Sequence, residues 1–324
     1  MKIIFVTVDL PILFCYRIPN HKGGLTMCGI VGLFLKDKSL EPQLGALLSD
    51  MMVRLTDRGP DSAGIAVYGS GKEGRSKITI QSPTPARDFA KLAADLEKEI
   101  GVTPVILVKS THAVVDVPVD LAGKARDAIQ ALRPDVRIMG AGETIEIYKE
   151  VGLPETVADR FDLSSMTGTH GIGHTRMATE SAVTTMGAHP FSTGPDQCLV
   201  HNGSLSNHNN LRRELIRDGM KFQTENDTEV AAAYLSSKIA KGMSLGEALE
   251  SGLKDLDGFY TFVVGTKNGF GVVRDPIACK PAVMAETDRY VAFGTEYRAL
   301  VSLPGIEEAK IWEPEPSTVY FWEH

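Results

Sequence analysis

The sequence predicts an α+β protein in which β-sheets are covered by helices. Strand-like runs lie at both ends of the chain with helical stretches between them. Residues from about 77 to 163 alternate helix and strand, which predicts a compact α/β insertion. After Cys28, Ile30-Val31-Gly32-Leu33-Phe34-Leu35 is an apolar run bounded by charge, the pattern of a short buried strand. Leu44, Leu47, Leu48, Met51, Met52 and Leu55 then recur at helical spacing. Arg58-Gly59-Pro60-Asp61 reads as a turn and Gly64 to Tyr68 as the next strand. In the insertion, Phe89, Leu92, Ala93, Leu96 and Ile100 mark an amphipathic helix, and Val105 to Val108 a strand. A second helix at Leu121 to Leu132 precedes strand-like Val136 to Met139, and Thr144 to Tyr148 alternates as a strand does. The insertion carries no catalytic constellation; it reads as structure or a partner-docking surface, with ligand binding as the alternative.

From His170 onward polar motifs crowd together. Gln197 to His201 reads as a strand ending in a loop, and Asn207 to Arg217 as a helix with Leu211 and Leu215 on one face. Asp227 opens another helix, with Asp227 or Thr224 as candidate N-cap. The remainder is mostly β: Tyr260 to Val264, Gly271 to Val273, Pro281 to Ala285, Tyr290 to Phe293 and Thr318 to Phe321.

Composition narrows the function classes. A chain of 324 residues can bury a large core, and 43% hydrophobic with 23% charged residues is ordinary for a globular protein. A formal charge of −7 argues against nucleic-acid binding, which needs a basic excess to neutralise phosphates. Cys15, Cys28, Cys198 and Cys279 are widely spaced without a CxxC pair, so neither a disulfide framework nor a zinc site is expected. The expected setting is reduced and cytoplasmic, with no membrane and no metal. The apolar stretches Ile3 to Val8 and Pro11 to Tyr16 are too short to span a bilayer. Residues 1–27 are expected to be absent from the mature protein, as an upstream start-site artefact or a removed propeptide; a targeting segment is the remaining reading.

The chemistry concentrates in four places. Removal of Met27 would give Cys28 a thiol and a free α-amine on one residue, and that amine, with a reference pKa of about 8, supplies a general base beside the nucleophile. Arg176, in Gly173-His174-Thr175-Arg176, could grip a carboxylate bidentately or form a structural ion pair. In His201-Asn202-Gly203 the Asn202 amide and the Gly203 N–H could form a two-donor oxyanion hole, or an ordinary Asn-Gly turn. Asp227 could accept a substrate ammonium group while also capping a helix. Together these describe a site for a free amino acid with a reactive acyl group.

Met27-Cys28-Gly29-Ile30-Val31-Gly32, Arg58-Gly59-Pro60-Asp61-Ser62-Ala63-Gly64, Gly173-His174-Thr175-Arg176-Met177-Ala178-Thr179, His201-Asn202-Gly203 and Asp227-Thr228-Glu229 occur in that order. This set resembles the class II glutamine amidotransferases, which are N-terminal nucleophile hydrolases. Arg274-Asp275-Pro276 and Gly294-Thr295-Glu296 resemble later segments of the same family. Met177, Thr56-Asp57 and Asn226 depart from the tryptophan, histidine and serine that relatives often carry there. The resemblance implies a four-layer αββα sandwich over residues 28–324, interrupted by the insertion at about 77–163. It implies hydrolysis of L-glutamine to glutamate and ammonia, with Cys28 as nucleophile and base and no cofactor. Asn202 and Gly203 would then be the oxyanion hole, Arg176 the clamp on the substrate carboxylate and Asp227 the acceptor of its ammonium.

Arg274 to Pro281 and the ending Trp312-Glu313-Pro314-Glu315-Pro316 extend the resemblance to stand-alone amidotransferase subunits of glutamate-synthase-like systems, including N-methylglutamate synthase. No P-loop, Rossmann glycine motif or flavin-barrel length remains, so separate synthase subunits, flavin-containing ones among them, are the expected recipients of the ammonia. The alternative is a non-catalytic regulatory or scaffold subunit that keeps the fold.

Overall fold

The computed structural model describes residues 27–178 and 182–324. The expected extension, apart from Met27, and Thr179 of the Gly173 motif lie outside the described residues. The first elements are β1 (Gly29–Leu35), α1 (Leu44–Val53), β2 (Ser62–Tyr68), β3 (Arg75–Gln81), α2 (Pro85–Asp88), α3 (Leu92–Ile100), β4 (Val105–Lys109) and β5 (His112–Pro118). There follow α4 (Ala122–Leu132), β6 (Arg137–Gly142), β7 (Ile145–Val151), α5 (Pro154–Arg160), β8 (His170–Arg176), β9 (Phe191–Gly194), β10 (Gln197–Leu205) and α6 (His208–Arg217). The chain closes with α7 (Asp227–Ala240), α8 (Leu245–Asp255), β11 (Gly258–Gly265), β12 (Gly269–Arg274), β13 (Val283–Glu286), β14 (Tyr290–Gly294), β15 (Lys310–Trp312) and β16 (Val319–Glu323).

Side-chain alternation stacks these elements. In β1, Val31, Leu33 and Leu35 face the apolar stripe of α1, while Ile30 and Phe34 face a second sheet. In β10, Leu199 turns towards α7 and α8, and Cys198 and Val200 turn towards β1. The result is a four-layer αββα sandwich. A seven-stranded sheet in the order β15-β13-β14-β1-β8-β2-β7 packs face to face on a five-stranded sheet, β16-β12-β11-β10-β9. Gly32 permits the close approach of the two, since a Cβ there would lie 2.6 Å from the Phe270 ring.

The third sheet, β4-β5-β3-β6, carries α3 and α4 on one face around its own core of Ile78, Ile80, Leu96, Val115 and Ile129. This small unit runs from β3 to β6. The expected insertion continued to 163, but β7 pairs with β2 along its whole length and so belongs to the large sheet. Val157 and Ala158 of α5 likewise pack in the core beneath that sheet.

Candidate active site

Cys28 immediately precedes β1, and the pairing of β1 with β8 sets Gly29 opposite Thr175. The nucleophile candidate is thereby brought beside Arg176 at the end of β8. Its thiol donates to the Met177 carbonyl at 3.7 Å. The second sheet supplies Asn202 and Gly203, and the start of α7 supplies Asp227. A cleft of about 260 Å³ is lined by Cys28, Arg176, Asn202, Gly203 and Asp227 together with Met27 and Lys280. All five residues read from the sequence as site candidates therefore meet in one cavity.

The Asn202-Gly203 pair sits differently from its sequence reading. The strand does not end at His201: β10 runs on to Leu205, with Asn202 opposite Thr261 and Gly203 opposite Tyr260. Asn-Gly reads locally as a turn, but eight consecutive cross-strand pairs with β11 override that preference. The Asn202 side-chain amide donates to the Cys28 carbonyl at 3.0 Å and lies 3.4 Å from the Thr295 hydroxyl. Gly203 has φ +144°, and a Cβ there would fall 1.9 Å from the Phe259 carbonyl oxygen. Only glycine fits this position.

The cap of α7 is also displaced. Asn226, rather than Asp227 or Thr224, is the N-cap, and its side chain accepts from the Thr228 N–H at 2.8 Å. Thr224 instead donates, through N–H and hydroxyl, to Glu229. Asp227 is thus released from capping its own helix. One of its oxygens accepts from the Leu205 N–H at 2.9 Å, and the other lies 3.7 Å from His201 Nδ1. Arg176 is 6% exposed and donates to the Ala182 carbonyl at 3.4 Å.

Burial dominates the electrostatics. It raises the Cys28 thiol pKa above its ordinary value, opposed by the Met177 hydrogen bond and by the positive charges of Arg176 and Lys280. Burial lowers His201 to about 4, against the pull of Asp227, and His174 to about 3. His189 is driven down by burial too, and its ring stacks on His174 at 4.0 Å. Thr228 links the cluster, its hydroxyl lying 2.8 Å from His189 Nε2 and 3.1 Å from His201 Nδ1. Among the described residues no group of three or more His, Cys, Asp or Glu side chains is placed to hold a metal ion, and no helix is long and apolar enough to cross a membrane.

Several supporting residues were noted in the sequence only as parts of motifs. Arg58 donates to the Cys28 carbonyl at 3.3 Å and pairs with Glu296. Thr295 accepts from the Ile30 N–H at 2.7 Å. Asp61 accepts from the Ala178 N–H at 2.8 Å, which ties down the chain just beyond Arg176. These contacts explain why the Arg58 and Gly294 motifs accompany Cys28.

A family model described as a glutamine amidotransferase domain matches residues 174–302. The glutamine amidotransferase-like protein GlxB of Rhizobium meliloti is 72% identical over 298 residues, which is 92% of this chain and 99% of that protein. The chain belongs to the glutamine amidotransferase family. An amidophosphoribosyltransferase of Synechocystis is 36% identical over 160 residues, covering 47% of this chain and 32% of that one. The solved glutamine phosphoribosylpyrophosphate amidotransferase of B. subtilis, complexed with ADP and GMP, superposes with a TM-score of 0.56 at 20% identity. It shares the fold over 91% of this chain, which spans 47% of that longer one. The candidate site lies where the two sheets of the sandwich meet the start of α7.

Proposed function

We propose that this protein hydrolyses L-glutamine to L-glutamate and ammonia through a Cys28 glutamyl thioester. The observation that carries the reading is the convergence of a thiol, an arginine, a two-donor pair and a carboxylate on one cavity of about 260 Å³. Arg176 holds the α-carboxylate of glutamine and Asp227 its α-ammonium, which sets the side-chain amide towards Cys28. Removal of residues 1–27 frees the Cys28 amine, and residues 28–324 form the mature enzyme.

The amine accepts the thiol proton, and sulfur attacks the amide carbon. The tetrahedral oxyanion takes hydrogen bonds from the Asn202 amide and the Gly203 N–H. The C–N bond then breaks, and nitrogen leaves as ammonia after taking a proton from the Cys28 ammonium. Water attacks the thioester with the amine again as base, releasing glutamate and restoring the thiol. The ammonia passes to separate synthase subunits of a glutamate-synthase-like or N-methylglutamate synthase system, which carry any flavin.

The test is glutamate and ammonia release from glutamine by protein that starts at Cys28, with and without such subunits. Activity is expected from the trimmed chain and not from the full-length one, and Cys28→Ala should abolish it. A trimmed, folded chain that is inactive under every condition would overturn the enzyme reading in favour of a scaffold role.

A further inference from the structure

The Arg274-Asp275-Pro276 motif touches no substrate-binding residue, yet the loop it opens is built with unusual care. Arg274, 6% exposed, donates to the carbonyls of Pro314 at 2.8 Å and Lys280 at 2.7 Å, and also to that of Ala278. Asp275 is fully buried and accepts from the N–H groups of Tyr260 at 2.9 Å, Ile277 at 2.8 Å and Ala278 at 3.2 Å. Ala278 is held at φ +50°, an unfavourable region for a residue with a Cβ. The loop leaves Ile277 70% exposed and directs Lys280 into the cleft that holds Cys28. Lys280 Nζ lies 5.1 Å from the centre of the Phe259 ring, and the Phe259 carbonyl is the group that packs on Gly203.

This ammonium has no ion-pair partner among the described residues. Among the described residues Asp227 is the sole carboxylate lining the cleft, and the proposed function assigns it to the substrate ammonium. Among the described residues the other charged or titratable groups lining this cleft are Arg176 from β8, His201 from β10 and His189 from the segment before β9. Arg58 reaches the Cys28 carbonyl with its charge matched by Glu296. Lys280 thus brings a cation without an ion-pair partner among the described residues into the same cleft in which an anion forms at Cys28.

We propose that Lys280 is the fixed countercharge for the Cys28 thiolate. It acts through Cys28 and not on the substrate, with the Arg274 and Asp275 loop as its mount. A cation in this position favours the thiolate and, in the trimmed chain, the neutral form of the α-amine. The Coulombic effect of Lys280 lowers the thiol and His201 alike, in keeping with this placement. The proposal rests on Cys28 as the reacting group but can be tested without turnover.

The experiment follows iodoacetamide alkylation of Cys28 against pH, read by mass spectrometry of the Cys28 peptide, in the full chain and in the chain starting at Cys28. Lys280→Met and Lys280→Gln should raise the midpoint by about half a pH unit or more, and Lys280→Arg should leave it near that of the parent. Urea melts at pH 7 establish that each variant is folded. Midpoints for both neutral variants that coincide with the parent's would overturn the proposal. So would an equal shift in the Arg variant, which would trace the change to loop packing. If the shifts appear but the trimmed parent releases no ammonia, the proposed function fails and the role of Lys280 stands.

Discussion

Lowering the pH from 7 to 5 should unfold this protein, because five of its histidines are buried in the neutral state. His112, His170 and His174 are held down to about 3 and His201 to about 4, with burial the leading cause in each. His189 is displaced in the same direction. In the unfolded chain each returns to about 6.5. Between these values the unfolded state binds more protons than the folded one, so stability rises with pH and is lost as the pH falls below about 6.5. One histidine that stays neutral in the fold while its unfolded counterpart titrates contributes roughly 2 kcal/mol of this loss between pH 7 and 5. Five together reach roughly 10 kcal/mol, comparable to the whole stability of a typical domain, about 5–15 kcal/mol. Asp37 and Asp88, held at about 2, act in the same direction but only below the normal carboxylate range near pH 4. The assay is urea unfolding at pH 7, 6, 5.5 and 5, followed by far-UV circular dichroism. The transition midpoint should fall steadily, with the folded state lost near pH 5. An unfolding free energy constant to within about 1 kcal/mol over that range would show that these histidines titrate normally, and so that their surroundings are more hydrated than the packing implies.

Three substitutions separate the roles assigned to individual groups. Asn202→Ala removes one donor of the proposed oxyanion hole and should lower kcat by about 10²–10³-fold with little change in KM, measured as glutamate release by the trimmed chain. Arg176→Lys keeps the charge but loses the fork; KM for glutamine should rise at least tenfold, with kcat less affected, in the same assay. Gly32→Ala would set a methyl group 2.6 Å from the Phe270 ring between the two sheets, and urea melts at pH 7 should show a destabilisation of about 1–3 kcal/mol.

What could be read from the sequence was whatever a short stretch determines by itself. The α1 stripe and the alternation of β1 encode which layer each side chain enters, and both are found in the sandwich. Ser244 and Glu247 form a capping box at the start of the Leu245, Ala248 and Leu249 stripe, so α8 is legible by the same local rules. The rest depends on pairing at long range. His201 to Leu205 resembles a turn until β11 lies beside it, and β7 resembles part of the insertion until β2 claims it. Asn226 and Asp227 are equally good caps by composition; the Leu205 N–H, 22 positions away, occupies Asp227 and leaves the cap to Asn226. The cleft carries this dependence furthest. Residues 28, 176, 202, 227 and 280 share it only because β1 lies beside β8 while β10 and β12 both flank β11 in the facing sheet. Motifs named the first four: Cys28 and Asn202 sit beside glycine, Asp227 opens a helix, and Arg176 closes the Gly173-His174-Thr175-Arg176 run. Lys280 has no such local mark: its side chain enters the cleft because Arg274 and Asp275 fold the chain back on itself, so its role becomes visible only when the buried contacts of those two residues are known.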